Sequence, residues 1–208
     1  MRYNNIMDIN TPNKIYKNIL SEQDIQDVYD AINQTEEDKT FVIQQYRQKA
    51  YFTNLPEHVV NKIIDFVQTI YPEKLQLREI SFATYKKMNG KDPVLSPHFD
   101  TTFEEPRFTF DIQLKSNISW PIVVENKEYT LKDNEALTFS GTGQVHWRTY
   151  REFKDNDFID MIFCHFSLAD NNKKITLEET KEIHRRFLYY MDMFYQNAIE
   201  RIKSERKV

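Results

Sequence analysis

The feature that most constrains this fold is a change of hydrophobic period near residue 75. Before that point, "PEHVVNKIIDFVQTIY" (residues 56–71) carries apolar residues at helical spacing. After it, "RFTFDIQL" (107–114) alternates strictly, with Phe108, Phe110, Ile112 and Leu114 on one face. Alternation with a period of two is typical of a β-strand with one buried face. We therefore predict helices followed by a β-rich core.

Short strands with turn signals between them continue to residue 168. They are "LREISFATYKK", "RFTFDIQL", a hairpin around Glu125–Lys127, "EALTFSG", "QVHWRTY" and "FIDMIFCHFSL". About seven or eight strands in so short a segment favour a sandwich or jelly roll over a parallel βαβ sheet. The fold class predicted is mainly β with flanking α-helices.

The helical segments flank this core. Residues 21–34 and 56–71 are predicted helices, 41–54 is strand-like but ambiguous, and 176–203 forms a long C-terminal helix. We predict one domain over residues 1–208, with N-terminal helical support (1–74), a jelly-roll core (75–168) and the C-terminal helix. The apolar stripe of that helix comprises Ile183, Phe187, Tyr190, Met191, Phe194 and Ala198. Packing on the β core is its expected role, and a homodimer or another interaction surface is the alternative.

Composition narrows the functional classes. The net charge of −4 and the lack of a basic, aromatic-interleaved stretch argue against nucleic acid as a partner. The chain has one cysteine, Cys164, which excludes an intrachain disulfide, and three glycines, which excludes glycine-rich phosphate and dinucleotide motifs. Its first residues, "MRYNNIMDINTPNK", lack the apolar core of a signal peptide, and no stretch suits a membrane span. We expect a cytoplasmic protein without membrane contact.

Three side chains suggest a metal site. His98 and Asp100 stand two positions apart in "SPHFD", so in an extended segment they point to the same face. His146 follows in a later strand, after the turn that contains Gly141 and Gly143. Two histidines and one carboxylate on one side of an ion, with the remaining positions open, are the ligand set of non-haem Fe(II) oxygenases.

The other three histidines fit different roles. His58 and His184 lie in predicted helices among charged residues, where a solvated position is expected. His165 lies in the last predicted strand beside Cys164, which favours a core histidine or one next to the metal ligands over a ligand itself.

In the order of its motifs, the chain resembles the 2-oxoglutarate- and Fe(II)-dependent dioxygenases of the double-stranded β-helix (jelly-roll) type. The resemblance spans about residues 75–168 and rests on "ISFATYKKMNG", "PHFD", "DNEALTFSGTGQVHWR" and "FIDMIFCHF". "HWR" is similar to a small branch distantly akin to prolyl hydroxylases. The resemblance implies Fe(II) at His98, Asp100 and His146, with 2-oxoglutarate as co-substrate. It also implies hydroxylation of a C–H bond in a peptidyl side chain or a small polar molecule.

One position departs from the family pattern. These enzymes anchor the far carboxylate of 2-oxoglutarate on an Arg or Lys about ten residues after the distal histidine. In this sequence Asp157 stands eleven residues after His146. An aspartate would repel a dicarboxylate, so the anchor must come from another position.

Several basic residues are candidates for that anchor. Arg148 is preferred because it lies two residues after His146 and faces the same way in a strand. Arg151, Lys154 and Arg107 are alternatives, and Tyr85 matches a tyrosine that binds the co-substrate carboxylate in related enzymes. The missing anchor also keeps open a second reading, a jelly-roll or cupin-like metal-binding protein without oxygenase activity.

Overall fold

Two antiparallel sheets form the centre of the molecule. The computed structural model describes residues 13–37, 41–44, 47–51, 55–100, 107–169 and 176–205. In sheet order, the seven-stranded sheet is β1 (Lys14–Lys17), β9 (Glu135–Ser140), β6 (Arg107–Ser116), β11 (Phe158–Leu168), β4 (Leu75–Lys86), β3 (Arg47–Tyr51) and β2 (Phe41–Gln44). The four-stranded sheet is β5 (Leu95–His98), β10 (His146–Arg148), β7 (Ile122–Val124) and β8 (Lys127–Tyr129). This mainly β jelly roll with flanking helices confirms the predicted fold class.

Both faces of β6 are buried, although its strict alternation of apolar and polar residues is typical of a strand with only one buried face. Phe108 and Phe110 are fully buried in the cluster beneath the helices. Thr109 and Asp111, on the other face, are also almost fully buried. The polar face lies between the two sheets and not in solvent, so its polar side chains line the interior of the jelly roll.

Helices α1 (Glu22–Glu37) and α2 (Glu57–Ile70) cover the outer face of the larger sheet. Val59, Ile63 and Val67 lie one helical turn apart on α2 and are fully buried. The N-terminal segment is less purely helical than predicted, because β1 pairs with β9 and the β2–β3 hairpin extends the sheet from β4. The ambiguous segment 41–54 contains β2 and β3.

Helix α3 (Leu177–Glu205) lies on the outer face of the smaller sheet. Ile183 and Tyr190, two members of the predicted stripe, are buried, and the Tyr190 ring lies 5.3 Å from that of Trp147 on β10. Arg186 binds Glu125 of the β7–β8 turn at 2.7 Å. The stripe therefore packs on the β core, although the side chain of Ala198 lies outside the described residues. A homodimer through this helix stays a prediction. Among the helices of the described residues, none is long and apolar enough to cross a membrane.

Candidate metal centre

Neighbouring strands of the smaller sheet bring His98 and His146 together. His98 ends β5, His146 begins β10, and the antiparallel register makes them direct partners with ring centroids 4.2 Å apart. Asp100 follows β5, where its backbone N–H donates to the carbonyl of Gly141 at 2.8 Å. One ligand atom from each of His98, Asp100 and His146 lies within 4.8 Å of the other two. The structure thus places three side chains, from two separate parts of the chain, around one point.

Both histidines are oriented by backbone carbonyls two residues earlier. Nδ1 of His98 lies 2.8 Å from the carbonyl of Ser96, and Nδ1 of His146 lies 3.2 Å from that of Gln144. A proton on each Nδ1 satisfies these contacts and leaves Nε2 as the lone-pair nitrogen that can bind a metal. The two Nε2 atoms lie 3.8 Å and 3.2 Å from Oδ1 of Asp100. Two imidazole nitrogens and one carboxylate oxygen fit a divalent iron ion.

The two carboxylate oxygens of Asp100 have different surroundings. Oδ1 faces the histidines, whereas Oδ2 accepts a hydrogen bond from the Thr109 hydroxyl at 2.6 Å. Burial alone would raise the pKa of Asp100, but the positive charges of His146 and His165 outweigh it and hold this pKa well below its usual range. The carboxylate is therefore ionised, as a metal ligand must be.

His165 lies directly behind this carboxylate. Its Nε2 is 3.5 Å from Oδ2 of Asp100, and its Nδ1 is 3.7 Å from a carboxylate oxygen of Glu79 on the neighbouring strand. Burial lowers the pKa of His165, but the charges of Asp100 and Glu79 more than offset this and raise it overall. His165 stands outside the three-residue cluster that could hold the ion. Its position agrees with the sequence-based expectation of a histidine next to the ligands.

A pocket opens beside the three candidate ligands. Its remaining lining residues are Tyr85, Leu95, Asp111, Ile122, Arg148, Phe163 and His165. Arg148 is buried, donates to the carbonyl of Trp120, and lies 5.7 Å from the ring centroid of Tyr85 and 5.1 Å from that of Trp120. The sequence-predicted Arg148 and Tyr85 thus share one wall of the pocket, with the guanidinium packed beside two aromatic rings that contact each other.

Asp111 is a pocket residue that the sequence analysis did not single out. Burial raises the pKa of Asp111 to about 7, and the charge of Asp100 adds to this effect, whereas His165, His146 and Arg148 oppose it. Its Oδ1 atom is buried without a hydrogen-bond partner among the described residues. The sequence feature that could have identified Asp111 as a pocket residue is its position on the polar face of β6, two residues from Thr109.

The remaining candidates for the carboxylate anchor lie elsewhere. Arg151 is exposed and donates to the carbonyl of Ser119, and it does not line the pocket. Lys154 is also exposed, and its backbone N–H donates to Asp157 at 2.8 Å. The side chain of Arg107 lies outside the described residues. On β11, the apolar side chains of Ile159, Met161 and Phe163 face the interior on the same side as His165. Among the candidate anchors whose side chains the structure describes, Arg148 is the one that lines the pocket.

Comparison with known proteins gives a clear result for the fold. No family model matches the chain, and no curated protein matches it significantly in sequence. Solved structures do match. The viral collagen prolyl hydroxylase of Paramecium Bursaria Chlorella virus-1, in complex with 2-oxoglutarate, has a TM-score of 0.55 at 11% identity, over 74% of this chain and 96% of its own. HygX from Streptomyces hygroscopicus, with nickel and 2-oxoglutarate bound, has a TM-score of 0.55 at 9% identity, over 77% and 84%.

A third similar structure is the non-haem α-ketoglutarate-dependent epimerase SnoN from nogalamycin biosynthesis. Its TM-score is 0.59 at 9% identity, and the match covers 76% of this chain and 80% of SnoN. These identities are too low to transfer an activity, but three proteins of different function share one architecture with this chain. The chain therefore has the double-stranded β-helix fold of the 2-oxoglutarate- and Fe(II)-dependent oxygenases.

Proposed function

We propose that the protein is a 2-oxoglutarate- and dioxygen-dependent non-haem Fe(II) oxygenase of the hydroxylase type. The observation that carries the proposal is the convergence of His98, Asp100 and His146 beside a pocket that contains a buried arginine. The fold of the chain is the one that 2-oxoglutarate oxygenases use.

His98, Asp100 and His146 would hold the iron. The donor set suits Fe(II), and the oriented Nδ1 atoms and the ionised carboxylate prepare it for binding. Bound iron, with 2-oxoglutarate as electron donor and dioxygen as oxidant, would supply the chemistry that replaces a C–H bond with C–OH. The contribution of the chain is to orient the ligands and to surround the reacting face with buried side chains.

Arg148 would bind the far carboxylate of 2-oxoglutarate. Its guanidinium lines the pocket together with the ligands, and the rings of Tyr85 and Trp120 hold it in place. A planar guanidinium offers paired donors that match a carboxylate, so it orients the co-substrate as well as neutralising it. Tyr85 completes this wall of the pocket. Arg151, which is exposed outside the pocket, is the weaker candidate.

The proposed substrate is a peptidyl side chain or a small polar molecule. Proteins of this fold are named for both kinds of substrate, since one is a collagen prolyl hydroxylase and HygX has been crystallised with hygromycin B. The pocket of this chain is lined by charged, polar and apolar side chains together, which suits a polar molecule with some apolar surface.

An anaerobic titration tests the proposal. Adding Fe(II) and then 2-oxoglutarate to the protein should produce the weak visible absorption band of the chelated metal. Exposure to oxygen should then release succinate. Asp100→Ala is the matched control and should abolish both signals. Metal binding by the wild type without the band and without succinate would refute the oxygenase, and would favour a jelly-roll metal-binding protein instead.

A further inference from the structure

The carboxylate of Asp100 is held from behind by side chains that are not candidate metal ligands. Thr109 on β6 donates its hydroxyl proton to Oδ2 at 2.6 Å, and His165 on β11 approaches the same oxygen at 3.5 Å. Thr109 and His165 are register partners on neighbouring strands, so the larger sheet presents both to Asp100. Oδ1 is left facing the two histidines.

Gly141 shows how closely this arrangement is packed. A Cβ atom at this position would lie 2.5 Å from Oδ2 of Asp100 and 2.9 Å from its Cβ, and it would also overlap the Thr109 hydroxyl. Real Cβ atoms essentially never come within 3.0 Å of such neighbours. The carbonyl of Gly141 also accepts from the backbone N–H of Asp100 at 2.8 Å. A side chain at position 141 would therefore push apart the hydroxyl and the carboxylate that it orients.

We propose that Thr109 is a positioning residue of the metal centre, which with His165 occupies Oδ2 of Asp100 and directs Oδ1 toward the ion, and that position 141 is glycine because this contact leaves no room for a side chain. The inference rests on the proposed function, since it requires that His98, Asp100 and His146 bind a metal. A carboxylate held in this way acts as a one-oxygen ligand and keeps more of the coordination sphere open for co-substrate and dioxygen.

Metal affinity, not turnover, tests this role. Mn(II) binding is measured by isothermal titration calorimetry on the wild type, Thr109→Val, Thr109→Ser and Gly141→Ala. Thr109→Val keeps the shape of the side chain but removes the hydroxyl, and it should weaken Mn(II) binding by about 10- to 100-fold, as the loss of an outer contact to a metal ligand does. Thr109→Ser restores the hydroxyl and should restore the affinity. Gly141→Ala should weaken binding as Thr109→Val does.

Thr138→Val is the matched control. Thr138 is buried on β9 and its hydroxyl is hydrogen-bonded to the backbone of Lys14, on the opposite face of the same sheet. This variant should bind Mn(II) as the wild type does, even if it is less stable. If Thr109→Val bound Mn(II) as tightly as the wild type, or if Thr109→Ser lost as much affinity as Thr109→Val, the role of Thr109 would be refuted while the proposed metal centre would stand. If the wild type bound no metal, the proposed metal centre would fail, and this role with it.

Discussion

Replacing Arg148 by methionine should weaken the binding of 2-oxoglutarate without removing the metal site. Arg148 is 3% exposed, so a carboxylate that reaches its guanidinium leaves bulk water and pairs in a poorly screened setting. Removing one partner of a buried, hydrogen-bonded charge pair costs about 2–5 kcal/mol. We expect the lower part of this range, because Arg148 already donates to the carbonyl of Trp120 and the neighbouring Asp111 opposes an incoming anion. About 2–3 kcal/mol corresponds to a loss of roughly 30- to 150-fold in Kd.

The Kd for 2-oxoglutarate is measured by isothermal titration calorimetry on the Mn(II)-loaded protein under anaerobic conditions. Arg151→Met makes the same chemical change at an exposed arginine outside the pocket, and its Kd should equal that of the wild type. Arg148 also packs against Tyr85 and Trp120, so thermal unfolding of each ligand-free variant separates a loss of stability from a loss of binding. An unchanged Kd in Arg148→Met, or a weakened one in Arg151→Met, would refute the assignment of the anchor.

Three further predictions concern the metal site, acid stability and the core. His146→Ala should lose Fe(II) binding because the ion would keep only two of its three proposed protein ligands, and an equimolar metal content after anaerobic loading would contradict this. Burial opposes ionisation of Asp24, but hydrogen bonds from Lys62 and Ser21 outweigh it and lower its pKa from 3.8 to about 2. Its contribution to folding is therefore complete above about pH 5 and lost as the pH falls from about 4 to about 2. Urea unfolding should show a smaller acid loss in Asp24→Asn than in the wild type, and identical pH profiles would count against the assignment. Phe110→Ala should lower the free energy of unfolding by about 3–5 kcal/mol, since the ring is fully buried, whereas a loss under about 1 kcal/mol would contradict the packing.

Much of the architecture could be predicted from local pattern. The helix over 56–71 and the strand over 107–114 were visible because burial of one face imposes a period of 3.6 or 2 on the sequence itself. The strand-like segment 41–54 stayed ambiguous, because a short hairpin at the edge of a sheet carries little periodic signal. Pattern could also not show that the polar face of β6 is buried, since that depends on a second sheet formed from other parts of the chain.

The sequence by itself determined the order of helices and strands, and it placed a histidine and a carboxylate two residues apart at the end of one of those strands. Only the tertiary structure decided that His146 meets them, that Arg148 rather than Arg151 lines the pocket, and that Thr109 and His165 stand behind Asp100. The physical reason is the distance along the sequence between the residues that interact. Local periodicity follows from interactions within a few residues, whereas these contacts join residues 9 to 65 positions apart. Antiparallel register pairs His98 with His146, and the packing of the two sheets brings Thr109 and His165 to Asp100. A one-residue slip of β10 against β5 would turn His146 and Arg148 to the opposite face.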